Sequence, residues 1–433
     1  MNVLVCGANG FIGQALCTAL IRSGHRVSKA VRNAKDRDEF EADYSTDLDP
    51  ACWASKLHDV DVVINAVGIL VERGEQTFER VHQRAPIALF DAAREAGVRY
   101  VVQISALGAH TGTTAYFKSK RAADEYLLSL PVEHHILRPA LVYGPDGKSS
   151  RFFRAVAASP IHPLPAGGHQ WIRPIHVNDL AEIVVRLIGR VNEPPQPAIG
   201  SEVSIRANIP PILELVGETE LEYKDMLAIY RASMAFAPAW QLPISRWFID
   251  IAARACDRIP GSMLTQDTWH MLQQGSSADV NSTTQILGRS PAGIETFIAP
   301  AEAMSLRQTA LAPWRSLFLR IALAITWLGT AVCSAFVYPQ VASLALLARL
   351  HLRGGAALAL LYGASMIDAV IGMLTLTYPG KRLWIAQICL VSLYSCAVAI
   401  ALPEFLWHPL GPILKNVPIL ALLSVLTMEE TRP

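Results

Sequence analysis

The chain has 433 residues, too many for one typical core, so two or more domains are expected. Charged residues make up 17% and hydrophobic ones 52%, which excludes an ordinary soluble enzyme over the whole length. A net charge of +1 excludes a global field that would recruit nucleic acid. Seven cysteines, with no CxxC pair and no His/Cys metal spacing, give no ground to expect a metal. The apolar excess is uneven. Leu317 to Met428 holds eight charged residues in 112, so the sharpest boundary falls near Pro313.

The short apolar run Val3-Leu4-Val5-Cys6 predicts a buried parallel strand. No basic leader precedes it, so the N-terminal domain is expected to stay in the cytosol. Gly7-Ala8-Asn9-Gly10-Phe11-Ile12-Gly13 follows at once, and a helix fits Gln14 to Ser23, stopping at Gly24. Strand, glycine turn and helix in that order are what a dinucleotide fingerprint needs. One glycine allows the tight turn, one the close approach of backbone N–H groups to a pyrophosphate, and one the packing of helix on strand. Gly7, Asn9, Gly10, Phe11, Ile12 and Gly13 are therefore the expected cofactor contacts at this turn.

The second strand, Arg26 to Arg32, ends without the acid that an NAD ribose prefers. Arg32, with Lys29 close by, suits a 2′-phosphate, so NADP is expected in preference to NAD. Asp61 to Gly68 predicts another strand, with Ala66, Val67 and Gly68 passing close to the cofactor. A helix fits Thr77 to Glu95, and Tyr100 to Ser105 is the next strand. Alternating strands and helices imply a parallel, doubly wound α/β sheet.

Ser105 stands at the carboxyl end of its strand, where open α/β sheets bind ligands. Tyr116 and Lys120, four residues apart, share one helix face. A neighbouring ammonium and an oxidised nicotinamide would lower the phenol from its usual ~10. The tyrosine could then exchange a proton with a substrate oxygen while hydride moves to or from the cofactor. Ser105 would bond the same oxygen, and Lys120 the ribose hydroxyls. Ser105, Tyr116 and Lys120 are the expected catalytic residues, Tyr116 and Lys120 also touching cofactor.

Together Gly7-x-x-Gly10-x-x-Gly13, Asn65-Ala66-x-Gly68, Ser105, Tyr116 and Lys120 resemble the extended or atypical short-chain dehydrogenase/reductases. Ile136 to Pro145 resembles the strand and turn after that family's catalytic helix, which implies Pro139 beside the cofactor. Pro174 to Ala181 resembles its substrate-domain return. Ile104 to Ala109 and Leu264 to Asp267 are similar to the branch containing the nucleotide-binding accessory subunit of respiratory complex I. Some members of that branch bind NADPH without turnover.

Gly147 to Trp171 reads as loop, and Arg151, His162, Arg173 and His176 are candidates to meet substrate. Ala232 to Ala253 is apolar and broken by Pro238 and Pro243. It fits a buried helix pair, or an interfacial cap that meets the membrane.

Leu317–Val337, Ala356–Thr377, Leu383–Leu402 and the shorter Ile413–Met428 read as four membrane spans. Val341 to Leu350 reads as interfacial. Trp314, Tyr338, Tyr378, Trp384 and Trp407 fall at span ends as an aromatic belt. Asp368, mid-span, is either functional or a helix–helix hydrogen bond. Tyr394 to Lys415, with Pro403 and Trp407-His408-Pro409, resembles the small four-helix DoxX-like membrane family, which is loosely linked to quinone-coupled redox proteins.

The expected architecture is a Rossmann domain (1–182), a small mixed substrate region (183–312) and a four-helix transmembrane domain (313–433). It implies a multi-pass protein of a bacterial inner membrane with its Rossmann domain in the cytoplasm. The expected activity is a membrane-anchored oxidoreductase acting on a hydrophobic carbonyl, hydroxyl or quinone-like compound. The alternative is a cofactor-binding assembly protein of a membrane redox complex.

Overall fold

A computed structural model describes residues 1–192, 209–259, 262–349, 351–407 and 413–430. His408, Pro409, Gly411 and Pro412 of the DoxX-like stretch lie outside the described residues. The chain forms two compact units, Met1–Ala310 and Leu311–Pro433.

In the first unit β1 (Asn2–Cys6) leads into α1 (Phe11–Arg22), then β2 (Arg26–Val31), β3 (Glu39–Glu41) and β4 (Val62–Asn65). After these come α2 (Ala85–Glu95), β5 (Tyr100–Ile104), α3 (Ala115–Ser129), β6 (Glu133–Pro139), α4 (Val177–Gly189) and β7 (Ile212–Leu215). The seven strands make one parallel sheet in the order β7-β6-β5-β4-β1-β2-β3. Strand order reverses between β1 and β4, and ligands of open α/β sheets bind in the crevice that such a reversal opens. Strands buried on both faces explain the unbroken apolar runs: Val3, Leu4, Val5, Val62, Val63 and Ile64 are all at or below 1% exposure. Apolar clusters fill both sides of the sheet.

Three local readings are corrected. Helix α1 begins at Phe11, before the expected Gln14, because Gly10 is its N-cap. The stretch expected to be one helix from Thr77 opens with a π-turn at Glu79–Arg84. Pro86 has no N–H to give the carbonyl of residue 82, so the ladder slips there. Gly147 to Trp171 is not mainly loop. It contains the helix Lys148–Ala158 and the strand Ile161–Pro165.

The unit continues through β8 (Trp240–Ile244), α5 (Arg246–Cys256) and α6 (Gln266–Gln274). The proline break is present, but this is no buried helix pair: Trp240 is 82% and Trp247 62% exposed.

The second unit is helical: α7 (Pro300–Val332, beginning in the first unit's range), α8 (Gly354–Thr377), α9 (Lys381–Ala401) and α10 (Asn416–Glu429), with a short helix Gln340–Arg349. Among the described residues three helices are long and apolar enough to cross a membrane, Pro300–Val337, Gly354–Thr377 and Lys381–Ala401. The expected fourth span is corrected. α10 has 14 residues, about 21 Å of rise against a hydrocarbon core of about 30 Å. It still joins the core, where Leu423 and Leu426 pack with Leu323, Trp327, Trp384 and Val391. Trp384 is thus inside the unit and not in an interfacial belt, whereas Tyr338, Tyr378 and Trp407 are exposed. Buried polar groups pair between helices. Trp327 Nε1 donates to Gln387 Oε1 (2.7 Å), and Gln387 Nε2 donates to Thr375 Oγ1 (3.1 Å). Asp368 forms a side-chain hydrogen bond with Tyr394, and its Oδ1 has no partner.

Candidate active site

The turn after β1 is built by contact. Gly7 has φ +77°, and a Cβ on Gly13 would lie 2.1 Å from the Gly7 carbonyl oxygen. The helix therefore crosses its own turn at a distance that no side chain permits. Gly10 caps α1 without any side-chain hydrogen bond, leaving the first N–H groups of the helix open to an anion. Asn9 is exposed, and Phe11 and Ile12 are half-buried at the start of the helix. The Phe11 ring lies under Gly144 and Gly147, where a Cβ would meet it at 2.5 and 3.1 Å.

The turn after β4 is held from beneath. Tyr44 Oη donates to Asn65 Oδ1 (2.9 Å), Asn65 Nδ2 donates to Gln103 Oε1 (2.7 Å), and Val67 N donates to Asn65 Oδ1 (3.3 Å). Ala66 and Val67 back onto Gly7, and Gly68 is exposed beside Lys120. Lys120 Nζ donates to the carbonyls of Val67 (3.3 Å) and Ile104 (3.1 Å). Among the described residues it has no carboxylate partner, and burial pushes it down to about 8, against the pull of the Asp124 charge. Those residues fit a dinucleotide: an uncapped helix start for the phosphates, and a buried ammonium facing the turn beside the expected ribose.

Tyr116 and Lys120 share one face of α3, whose N-cap Thr114 accepts from Phe117 N. The sequence places them together, and so does the structure. In the protein alone, burial, with the Asp124 charge added, pushes the Tyr116 phenol up to about 12; the expected lowering involves an oxidised nicotinamide as well as Lys120. Ser105 Oγ donates to Asp124 Oδ2 (2.8 Å), the oxygen that also receives Arg138 Nε (3.1 Å) and Nη2 (3.0 Å). Its hydroxyl proton therefore ties the end of β5 to α3, and its oxygen can still accept a hydrogen bond. Burial raises the Asp124 carboxyl, and Ser105 and Arg138 offset this only in part. Pro139 ends β6 next to this pair, and its carbonyl accepts from Leu107 N (2.9 Å).

Sequence reasoning missed His82. It sits in the π-turn, 1% exposed, with its ring 5.2 Å from that of Tyr116. Ile69 N donates to Nε2 (2.9 Å), and Ser119 Oγ, which donates to the Tyr116 carbonyl, lies 3.1 Å from Nδ1. Those partners fix the proton on Nδ1. Burial first, then the Lys120 charge, holds the ring well below its usual value and so neutral. The available signal was Pro86 four residues on. Phe78, Phe117 and Ala109 enclose Tyr116, with Ile69, Leu70, Ala106 and Met271 packed against them. The surroundings of the ring are therefore largely apolar, with His82 the polar exception.

The other candidates are structural. His162 bonds the Ala157 carbonyl, Arg173 bonds the carbonyls of Gly217, Glu218 and Ala278, and Arg151 is exposed and paired with Asp146. His176 Nδ1 accepts from Asn178 N, with its ring against Tyr143 and Phe297.

Residues 3–200 match the NAD dependent epimerase/dehydratase family, and residues 324–424 match the DoxX-like family. Both resemblances drawn from the motifs are borne out. A ceramide reductase of Caulobacter vibrioides is 30% identical over 189 residues, 42% of this chain and 59% of that protein. Subunit 9 of the NADH dehydrogenase 1 alpha subcomplex of Arabidopsis thaliana is 27% identical over 194 residues, 42% of this chain and 48% of that protein. This chain thus spans about half the length of these relatives.

Solved structures share the fold. MoeE5 with UDP-glucuronic acid and NAD is 20% identical at a TM-score of 0.50, covering 72% of this chain and 100% of that one. A UDP-glucuronic acid 4-epimerase of Bacillus cereus with NAD is 18% identical at 0.50, covering 71% and 99%. An NADPH-dependent quinone oxidoreductase of Escherichia coli is 15% identical at 0.51, covering 69% and 98%. The preference for NADP is corrected. MoeE5 and the Bacillus cereus epimerase both hold NAD, and one of the two cations behind the expectation is answered here by an acid. Lys29 is paired with Asp38 at 2.8 Å, while Arg32 is exposed.

Two outcomes follow for NADH binding, read by its fluorescence on the full chain. Ribose oxygens favour the ammonium, so binding raises the pKa of Lys120. Affinity is then flat below pH about 8 and falls roughly tenfold per unit above it. Lys120→Met abolishes that slope, and a slope kept in this variant contradicts the assignment. His82→Leu strands the Ile69 N–H and weakens binding by about tenfold, whereas His82→Gln, which still offers an acceptor, retains most of it. Equal affinity in all three forms contradicts a positioning role.

Proposed function

We propose that this chain, an N-terminal NAD-epimerase-like Rossmann domain fused to a DoxX-like multi-span membrane domain, is a membrane-anchored NAD-dependent oxidoreductase. Its substrate would be a lipid carrying a carbonyl or hydroxyl group. The observation that carries this reading is the apolar enclosure of Tyr116 by Phe78, Phe117 and Ala109, on a helix face shared with Lys120. Similarity to a protein named ceramide reductase supports a lipid substrate. A membrane anchor keeps the site near compounds that hardly dissolve in water.

The nicotinamide, when bound, supplies or accepts the hydride. The N–H groups at the start of α1, past Gly7, Gly10 and Gly13, would hold the pyrophosphate. Asn9, Phe11, Ile12, Ala66, Val67, Gly68 and Pro139 would line the cofactor, and Lys120 would bond its ribose. Tyr116 Oη would pass the matching proton to or from the substrate oxygen. A phenol raised to about 12 holds its proton at neutral pH, which suits donation, and so the reductive direction. Residues 1–182 would carry the cofactor and 183–312 complete the substrate side. The Rossmann domain would face the cytoplasm.

A second reading has its own support. Ser105 gives its hydroxyl proton to Asp124, and this chain is similar to a complex I subunit. On that reading the cofactor is structural and the protein serves a membrane redox complex. Anaerobic NADH oxidation by the detergent-solubilised chain with extracted membrane lipids separates the two. The oxidoreductase predicts consumption that Tyr116→Phe cuts by about 10² to 10⁴-fold with NADH binding kept. Tight binding without consumption in either form favours the structural role.

A further inference from the structure

Helix α5 is apolar on two faces. Its inner side, Ile249 and Ala253, packs on Trp269 with Ile244, Leu264 and Leu272. Its outer side presents Trp247 (62% exposed), Phe248 (60%) and Ile251 (45%), at helical spacings that place the three together. The preceding strand β8 adds Trp240 (82%) and Leu242 (53%), and its register partner Ile161 is also exposed. An exposed contiguous apolar patch of this kind marks an interaction surface.

The charges on α5 choose the occupant. Its one acid, Asp250, accepts from Trp269 Nε1 (2.6 Å), and Asp257, exposed just past its end, accepts from Gln266 N (3.0 Å) and Nε2 (2.8 Å). Arg254 lies seven residues after Trp247 on the same outward face, Arg258 follows in the turn past the helix end, and both are exposed. Tryptophan and phenylalanine flanked by arginine suit the headgroup boundary of a bilayer, where the rings enter the acyl edge and the cations meet anionic lipid. The chain itself carries membrane-spanning helices, so a bilayer is within its tether. An aqueous protein surface would leave these rings wet at a cost of about 25 cal/mol per Å².

We propose that β8 and α5 form a second, monotopic membrane contact, seating the Rossmann unit on anionic lipid independently of the spanning helices. The contact does not depend on turnover, and it would survive if the cofactor proved structural.

The test uses the full chain reconstituted in vesicles containing phosphatidylglycerol and dibrominated phosphatidylcholine, which quenches tryptophan at the acyl edge. Trp240→Phe together with Trp247→Phe gives, by difference from the wild type, the emission of these two residues. Both are exposed, so the fold is not at risk. The expected result is that this difference emission is largely lost to bromolipid and protected from aqueous iodide. Arg254→Glu with Arg258→Glu, in the otherwise wild-type chain, restores much of it. Difference emission untouched by bromolipid overturns the proposal. If iodide quenches it, the patch is free surface; if neither does, protein covers it.

Discussion

A buried ammonium without a carboxylate is the constraint on which the site turns. Lys120 reaches from α3 to the carbonyls at the ends of β4 and β5. It bridges the two strands beside the topological reversal. Carbonyl dipoles compensate a desolvated charge only in part, and the ammonium accordingly sits near 8. One turn further along the helix, Asp124 takes Ser105 from β5 and Arg138 from β6. The two polar ties fix the height and rotation of α3 on the sheet, and with them the place of Tyr116. His82 locks the other side, holding the Ile69 amide while it faces Ser119. The phenol is thus oriented by the polar groups packed around it.

Much of this was legible in the sequence. Glycines with separate steric duties announced the turn after β1, and the Tyr116–Lys120 spacing announced a shared helix face. A single composition break announced the membrane unit. What stayed hidden depends on tertiary neighbours. Ser105 has the right strand position, yet its hydroxyl answers Asp124, nineteen residues away. Lys29 reads as a phosphate cation until Asp38 is folded against it. His82 is one polar residue in an apolar helix until Pro86 forces a π-turn there. Span length misled at α10, because the apolar run starts at Ile413, ahead of the helix's first residue, Asn416. Trp384 sits at a span end yet packs inward against Trp327 and its neighbours. Sequence position alone does not separate a belt residue from a core residue.

On the proposed reading, lipid chemistry unites the parts. An apolar enclosure around Tyr116, three helices long enough to cross a bilayer and an exposed aromatic face on the Rossmann unit are each compatible with a substrate drawn from lipid. A site for hydrophobic substrates gains from all three. The apolar enclosure also accounts for the direction of the phenol's shift, since excluding water favours the neutral acid.

The most direct measurement follows the hydride. Membranes containing the full chain are incubated anaerobically with NADH deuterated at the transferable position, and the extracted lipids are weighed by mass spectrometry. The account predicts one deuterium in a single lipid class, absent with Tyr116→Phe. NADH that binds while no lipid gains deuterium would contradict it, and would leave the dinucleotide as a structural element of a membrane assembly.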